Sequence, residues 1–140
     1  MLLNLFSGYI PNVFKHDFVT DSAEYYDAKY KDQIIVVRGS AEKVCDQLQE
    51  IMDPGKICLT VDHQNFKHST PIIIRGDDLF VLRDERYNLN FINECAKKLG
   101  LTVRTLNIIN TDKSMQHKSS SECHMMALGI LKDTKFKDIK

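Results

Sequence analysis

From Gln33 onward the chain switches repeatedly between a strand-like and a helix-like spacing of apolar positions. Residues 34–38, IIVVR, form a short β-branched run, which predicts a buried strand. Gly39 and Ser40 break it, and Ser40 is a natural N-cap for AEKVCDQLQEIM. There Val44, Leu48 and Ile51 fall at i, i+4 and i+7, the stripe of an amphipathic helix that Pro54-Gly55 ends. KICLTV predicts a second strand, followed by the polar loop DHQNFKH. STPIIIR and LFVLRD flank RGDD and read as a hairpin, with Gly76 free to take a positive φ in the turn.

Asn90 can cap a helix over FINECAKKL, with Phe91, Cys95 and Leu99 on one side and Gly100 at its end. LTVRTLNII predicts another strand, NTDKSMQHKSSS a polar loop, and a last helix starts near Glu122. Met125, Met126, Ala127, Leu128, Ile130 and Leu131 leave that helix almost no polar face, which predicts a central, buried one. The order β-α-β-β-β-α-β-loop-α places the chain in the α+β class, a mixed sheet with covering helices. Residues 1–32, aromatic and polar by turns as in YYDAKY, carry no assignable period and stand as a separate N-terminal segment before a domain over residues 33–140.

Composition narrows the class of function. The 140 residues suit one domain with a single modest core. Zero formal net charge gives no basis for a nucleic-acid-binding surface or a polybasic membrane patch, and the tail KDTKFKDIK is diluted by its own aspartates. No apolar stretch approaches the length of a membrane span, and MLLNLFSGYIPNVF has no basic region of a signal peptide. Four cysteines without a CxxC pair, three of them in apolar periodic stretches, predict reduced thiols and no zinc knuckle. The expected compartment is the cytoplasm, with export into a host cell by a route without a cleaved signal as the alternative.

The candidate chemistry centres on Cys123. A helix N-terminus stabilises the reactive thiolate through its dipole and unpaired amides, and Ser120, Ser121 or Glu122 can cap it there. Position alone leaves two alternatives open, an inert core thiol and a nucleophile. A nucleophile needs a base and a group to orient that base. His68 opens an apolar strand and shares a face with Thr70, Ile72 and Ile74; Asp84 closes the antiparallel neighbour, so the two can meet at one end of the sheet. Gln116, in the loop before Cys123, could donate to an oxyanion. His63 and His68 share a loop, but no third residue completes a metal set, and no metal is expected.

The order His–acid–Gln–Cys, on strand, strand, loop and helix, resembles the adenain-type cysteine protease fold, which includes the ubiquitin-like and SUMO proteases and the YopJ-family effectors. QHKSSSECHMMALGILK is most similar to the YopJ family, where a glutamine, a lysine-serine run, an acid and the cysteine precede an apolar helix. The likeness runs from about Cys58 to Lys132. It implies His68 as base, Asp84 as orienting acid with Glu85 as its rival, Gln116 as oxyanion donor and Cys123 as nucleophile. It further implies transfer of acetyl from acetyl-CoA, through acetyl-Cys123, to serine, threonine or lysine of a target protein such as a host signalling protein.

Two residues depart from the protease branch: His124 follows the cysteine where SUMO proteases have glycine, and Ser69 follows the histidine where tryptophan is common. The YopJ-like acetyltransferases also continue well past the cysteine helix, into parts that hold acetyl-CoA and inositol hexakisphosphate, whereas this sequence stops soon after Lys132. The expectation is therefore a truncated or minimal acetyltransferase. The alternatives are a ubiquitin-like protease on the same triad and a decayed binding module.

Overall fold

The computed structural model describes residues 23–107 and 120–139, the side chains of residues 120 and 121 excepted. In chain order these are α1 (Ala23–Tyr30), β1 (Ile34–Gly39), α2 (Ala41–Glu50), β2 (Lys56–Asp62), β3 (Lys67–Arg75), β4 (Asp78–Leu82), α3 (Leu89–Leu99), β5 (Thr102–Leu106) and α4 (Ser120–Asp133), then a 3-10 turn at Phe136–Asp138. The class is α+β with a mixed sheet. Among the described residues no helix is long and apolar enough to cross a membrane.

The five strands lie in sequence order, with β1 parallel to β2, β2 and β3 antiparallel, β3 and β4 antiparallel, and β4 parallel to β5. β1, β2, β4 and β5 therefore point the same way. Their carboxyl ends share one end of the sheet with the start of β3. The crossovers β1–α2–β2 and β4–α3–β5 step in the same direction along it, so connections of one hand put both helices on one face.

Strand alternation divides the sheet's side chains between two cores. Val37, Ile57, Leu59, Val61, Ile72, Ile74, Leu79 and Val81 meet Val44, Cys45 and Leu48 of α2 and Ile92, Cys95 and Ala96 of α3. Cys58, Ile73, Phe80, Leu82 and Leu106 face the other way, against Tyr26 and Tyr30 of α1, Cys123, Ala127 and Leu131 of α4, and Phe136. The result is three layers. α1 falls in the segment without a readable period because its buried residues are tyrosines, Tyr26 and Tyr30, stacked with each other and tilted against Phe136.

The last helix corrects one expectation. It buries a single stripe, Cys123, Ala127 and Leu131, at i, i+4 and i+8, while Met125 is 68% exposed. An apolar composition all round here marks a helix lying on a sheet face, not one enclosed by the fold. The hairpin forms with Arg75 paired to Asp78 and Gly76 at φ 61°, and Gly100 closes α3 in the left-handed conformation.

Candidate active site

The start of β3 meets the amino end of α4 at the carboxyl ends of the parallel strands, the place where open α/β sheets bind ligands. Cys123 lies in the first turn of α4, and its Sγ is 3.6 Å from Nδ1 of His68. The other imidazole nitrogen, Nε2, is 3.1 Å from Oε1 of Glu85. Cys123, His68 and Glu85 are each at most 2% exposed. By alternation His68 belongs with Thr70 and Ile72 to the α2–α3 face, whereas Cys123 comes from the opposite layer. The imidazole thus bridges two layers at the end of the sheet, one nitrogen toward each.

Which acid meets the histidine is decided by where β4 stops. The sequence put Asp84 at the strand's end, but β4 ends at Leu82, and the chain turns with the Glu85 N–H donating to the Leu82 carbonyl at 3.1 Å. Register also opposes Asp84. Ile72 pairs with Val81 and Ile74 with Leu79, so the face of His68 is that of Val81, and the Phe80–Leu82 face looks the other way. Asp84 is left half-buried in the turn, and among the described contacts the carboxylate against His68 is that of Glu85. Gln116 lies outside the described residues.

The protons in this network can be assigned from obligate donors and acceptors. Asn88 Nδ2 is 3.1 Å from the His68 carbonyl, which can only accept, so this atom is the amide nitrogen. It also donates to Thr70 Oγ1 at 2.7 Å, and Thr70 in turn donates to Glu85 Oε1 at 2.8 Å. The Asn88 backbone N–H donates to Glu85 Oε2 at 2.9 Å. Both carboxylate oxygens therefore receive donors. Burial works to raise the Glu85 pKa, but the hydrogen bonds from His68, the Asn88 amide and Thr70 outweigh it and hold the carboxyl below its ordinary range. An ionised Glu85 makes His68 Nε2 the protonated nitrogen and leaves the Nδ1 lone pair facing the thiol.

No known protein family and no curated protein matches the chain.

A second cysteine–histidine pair lies close by and shows what the first one has. Cys58 Sγ is also 3.6 Å from a histidine nitrogen, Nδ1 of His124, which is 3.4 Å from Ser69 Oγ as well. Burial pushes the Cys58 thiol up to about 11. Behind His124 stands the guanidinium of Arg38, 3.3 Å from Nε2, where a base would need a carboxylate. Burial and the adjoining Cys45 thiol likewise push Cys95 up. All four cysteines are free and buried. Among the described contacts, the histidine beside Cys123 is backed by a carboxylate, whereas the histidine beside Cys58 is backed by Arg38.

Four contributions to the site, from Thr70, Asn88, His63 and Tyr87, were missed in the sequence. Thr70 was visible as the strand neighbour of His68 by alternation. Asn88 was hidden because Asn90 looked like the cap of α3, while the N-cap is Asn88. His63 donates from Nε2 to Asn88 Oδ1 at 2.7 Å and stacks on Phe66. Tyr87 sets an edge against the His68 ring with centroids 5.0 Å apart. Among the described residues no three His, Cys, Asp or Glu side chains converge as a metal set.

Proposed function

We propose that the chain is a cysteine-dependent acyl-transfer enzyme with Cys123 as nucleophile, His68 as acid–base and Glu85 as orienting acid. The observation that carries this reading is the imidazole held between a thiol and an ionised carboxylate, 3.6 Å from one and 3.1 Å from the other. Cys123 gives its proton to His68 Nδ1 and its sulfur attacks the acyl carbonyl carbon. As the carbon–sulfur bond forms, the bond to the leaving group breaks, and that group takes the proton from His68. An acceptor hydroxyl or amine then gives a proton to His68 and attacks the thioester, and the released Cys123 sulfur takes that proton back from His68. Gln116 is assigned to the developing oxyanion.

The finer reading is a YopJ-like protein acetyltransferase on an adenain-like fold, with acetyl-CoA as donor and serine, threonine or lysine of a target protein as acceptor. It is supported by the KSSSEC run entering an apolar helix and by a glutamate as the acid, which that family often uses. A second reading, a ubiquitin-like protease in which water takes the acyl group, is favoured by Phe66 and Tyr87. These aromatics are 43% and 45% exposed beside His68 and would suit an extended peptide.

Incubation with acetyl-CoA and mass spectrometry of the intact protein separates the two. Acetyl on Cys123, absent from Cys123→Ala, is the expected result. Labelling of Cys123 by ubiquitin or SUMO bearing a C-terminal electrophile, with no acetylation, would instead select the protease. If neither reagent marks Cys123, and Cys123→Ala leaves every cellular effect intact, the chain is a binding module and the enzymatic reading is wrong.

A further inference from the structure

Asn88 stands at the N-cap of α3, yet its side chain makes no capping hydrogen bond to that helix. Asparagine at this position ordinarily accepts from a first-turn amide. Here the residue is fully buried and its side-chain polar atoms bond to β3 and to the loop before it. Nδ2 donates to the His68 carbonyl and to Thr70 Oγ1, and Oδ1 accepts from His63. The backbone N–H holds Glu85 Oε2.

We infer that Asn88 is a positioning residue for the thiol–imidazole pair, acting through Thr70 and Glu85. The inference rests on the catalytic reading above. By donating to Thr70 Oγ1, the amide leaves the Thr70 hydroxyl hydrogen one direction to point, toward Glu85 Oε1. That third donor keeps Glu85 acceptor-only, so in the contact with His68 the hydrogen must come from Nε2, and Nδ1 stays open toward Cys123. The second Nδ2 bond ties the His68 backbone to the same amide, fixing the strand end that carries the ring. Among the described contacts, the titratable groups around this network are His63, His68, Tyr87, Cys123 and Glu85, and the carboxylate among them is the one Asn88 holds.

A capping role and a positioning role predict different behaviour for Asn88→Asp. Aspartate is as good an N-cap as asparagine, but it has no Nδ2 to donate. The measurement is the rate of Cys123 carbamidomethylation by iodoacetamide as a function of pH, with melting temperature recorded alongside. In the wild-type protein Cys123 should react well below the pH at which an ordinary thiol, near 8.5, loses reactivity, and His68→Ala should abolish that advantage.

Asn88→Asp should shift the midpoint upward and slow labelling at neutral pH by about tenfold or more, leaving the alkaline plateau unchanged. Thr70→Val, nearly the same shape, should shift it the same way and covers the case in which Asn88→Asp does not fold. Asn90→Ala, on the exposed side of α3, should leave the profile as in wild type. A wild-type profile in both Asn88→Asp and Thr70→Val overturns the inference while leaving the triad standing. A wild-type Cys123 no more reactive than a free thiol, unmoved by His68→Ala, overturns the catalytic reading itself.

Discussion

Glu85 and Asp84 are neighbours in sequence and differ in almost every physical respect. The Glu85 side chain has no solvent exposure and receives hydrogen bonds at both oxygens, whereas Asp84 sits half-buried in the turn. Glu85→Gln keeps the shape but replaces an acceptor-only group with an amide, which must set a donor against Thr70, His68 or the Asn88 amide. Activity should fall by at least about 100-fold, as when a triad acid is neutralised, and stability by about 1–3 kcal/mol. Asp84→Asn should change stability by no more than about 0.5 kcal/mol and spare activity.

The pH dependence has a definite sign. Because the Glu85 pKa lies below its unfolded value, its contribution to stability is complete above the ordinary carboxylate range and is lost as pH falls through the depressed folded value. Urea unfolding across a pH series should therefore show the gap between wild type and Glu85→Gln constant above about pH 5 and closing on acidification. A gap that widens at low pH would contradict the proton assignment.

At the scale of elements, two glycines make opposite predictions. A Cβ on Gly55 would stand 2.6 Å from Cδ1 of Tyr30, whose ring is buried and stacked on Tyr26. Gly55→Ala should cost about 1–3 kcal/mol, the usual penalty of overpacking. A Cβ on Gly129, inside α4, meets nothing within 4 Å, so Gly129→Ala should stabilise by about 0.5–1 kcal/mol through helix propensity alone. Chemical denaturation of the pair measures both.

The elements were also what the sequence made most legible. Short β-branched runs, the Gly76 hairpin and the Gly100 stop are local signals, and β1–β5, α2 and α3 appear in the expected order, with the end of β4 and the start of α3 each displaced by two residues. The site was legible only where it depended on them. His68 and Cys123 come from a strand start and a helix start, but Glu85 depends on a turn that cuts β4 off at Leu82, and Asn88 on contacts between β3 and α3. α1 was silent because tyrosines make its buried face.

For the molecule as a whole, the three layers meet in His68. Cys123 is 1% exposed, so under the proposed function an acyl substrate has to reach it through an opening between elements. Iodoacetamide, small and uncharged, should label Cys123 at least about tenfold faster, relative to a free thiol, than a bulky aromatic disulfide does. Cys58, held up at about 11, should resist both at neutral pH. Peptide mapping after brief labelling reads all four cysteines at once, and equal labelling of Cys58 and Cys123 would refute the distinction between the two cysteine–histidine pairs.

Under the proposed function, that bridging histidine ties the chemistry to the assembly of both faces of the sheet. The nucleophile arrives with α4, the acid arrives with the turn into α3, and these elements pack on opposite faces of the sheet. A chain that has docked only one face holds its thiol and its base apart and cannot make the proton transfer. On that reading a reactive Cys123, followed by iodoacetamide labelling during refolding, is expected only once both faces of the sheet have docked.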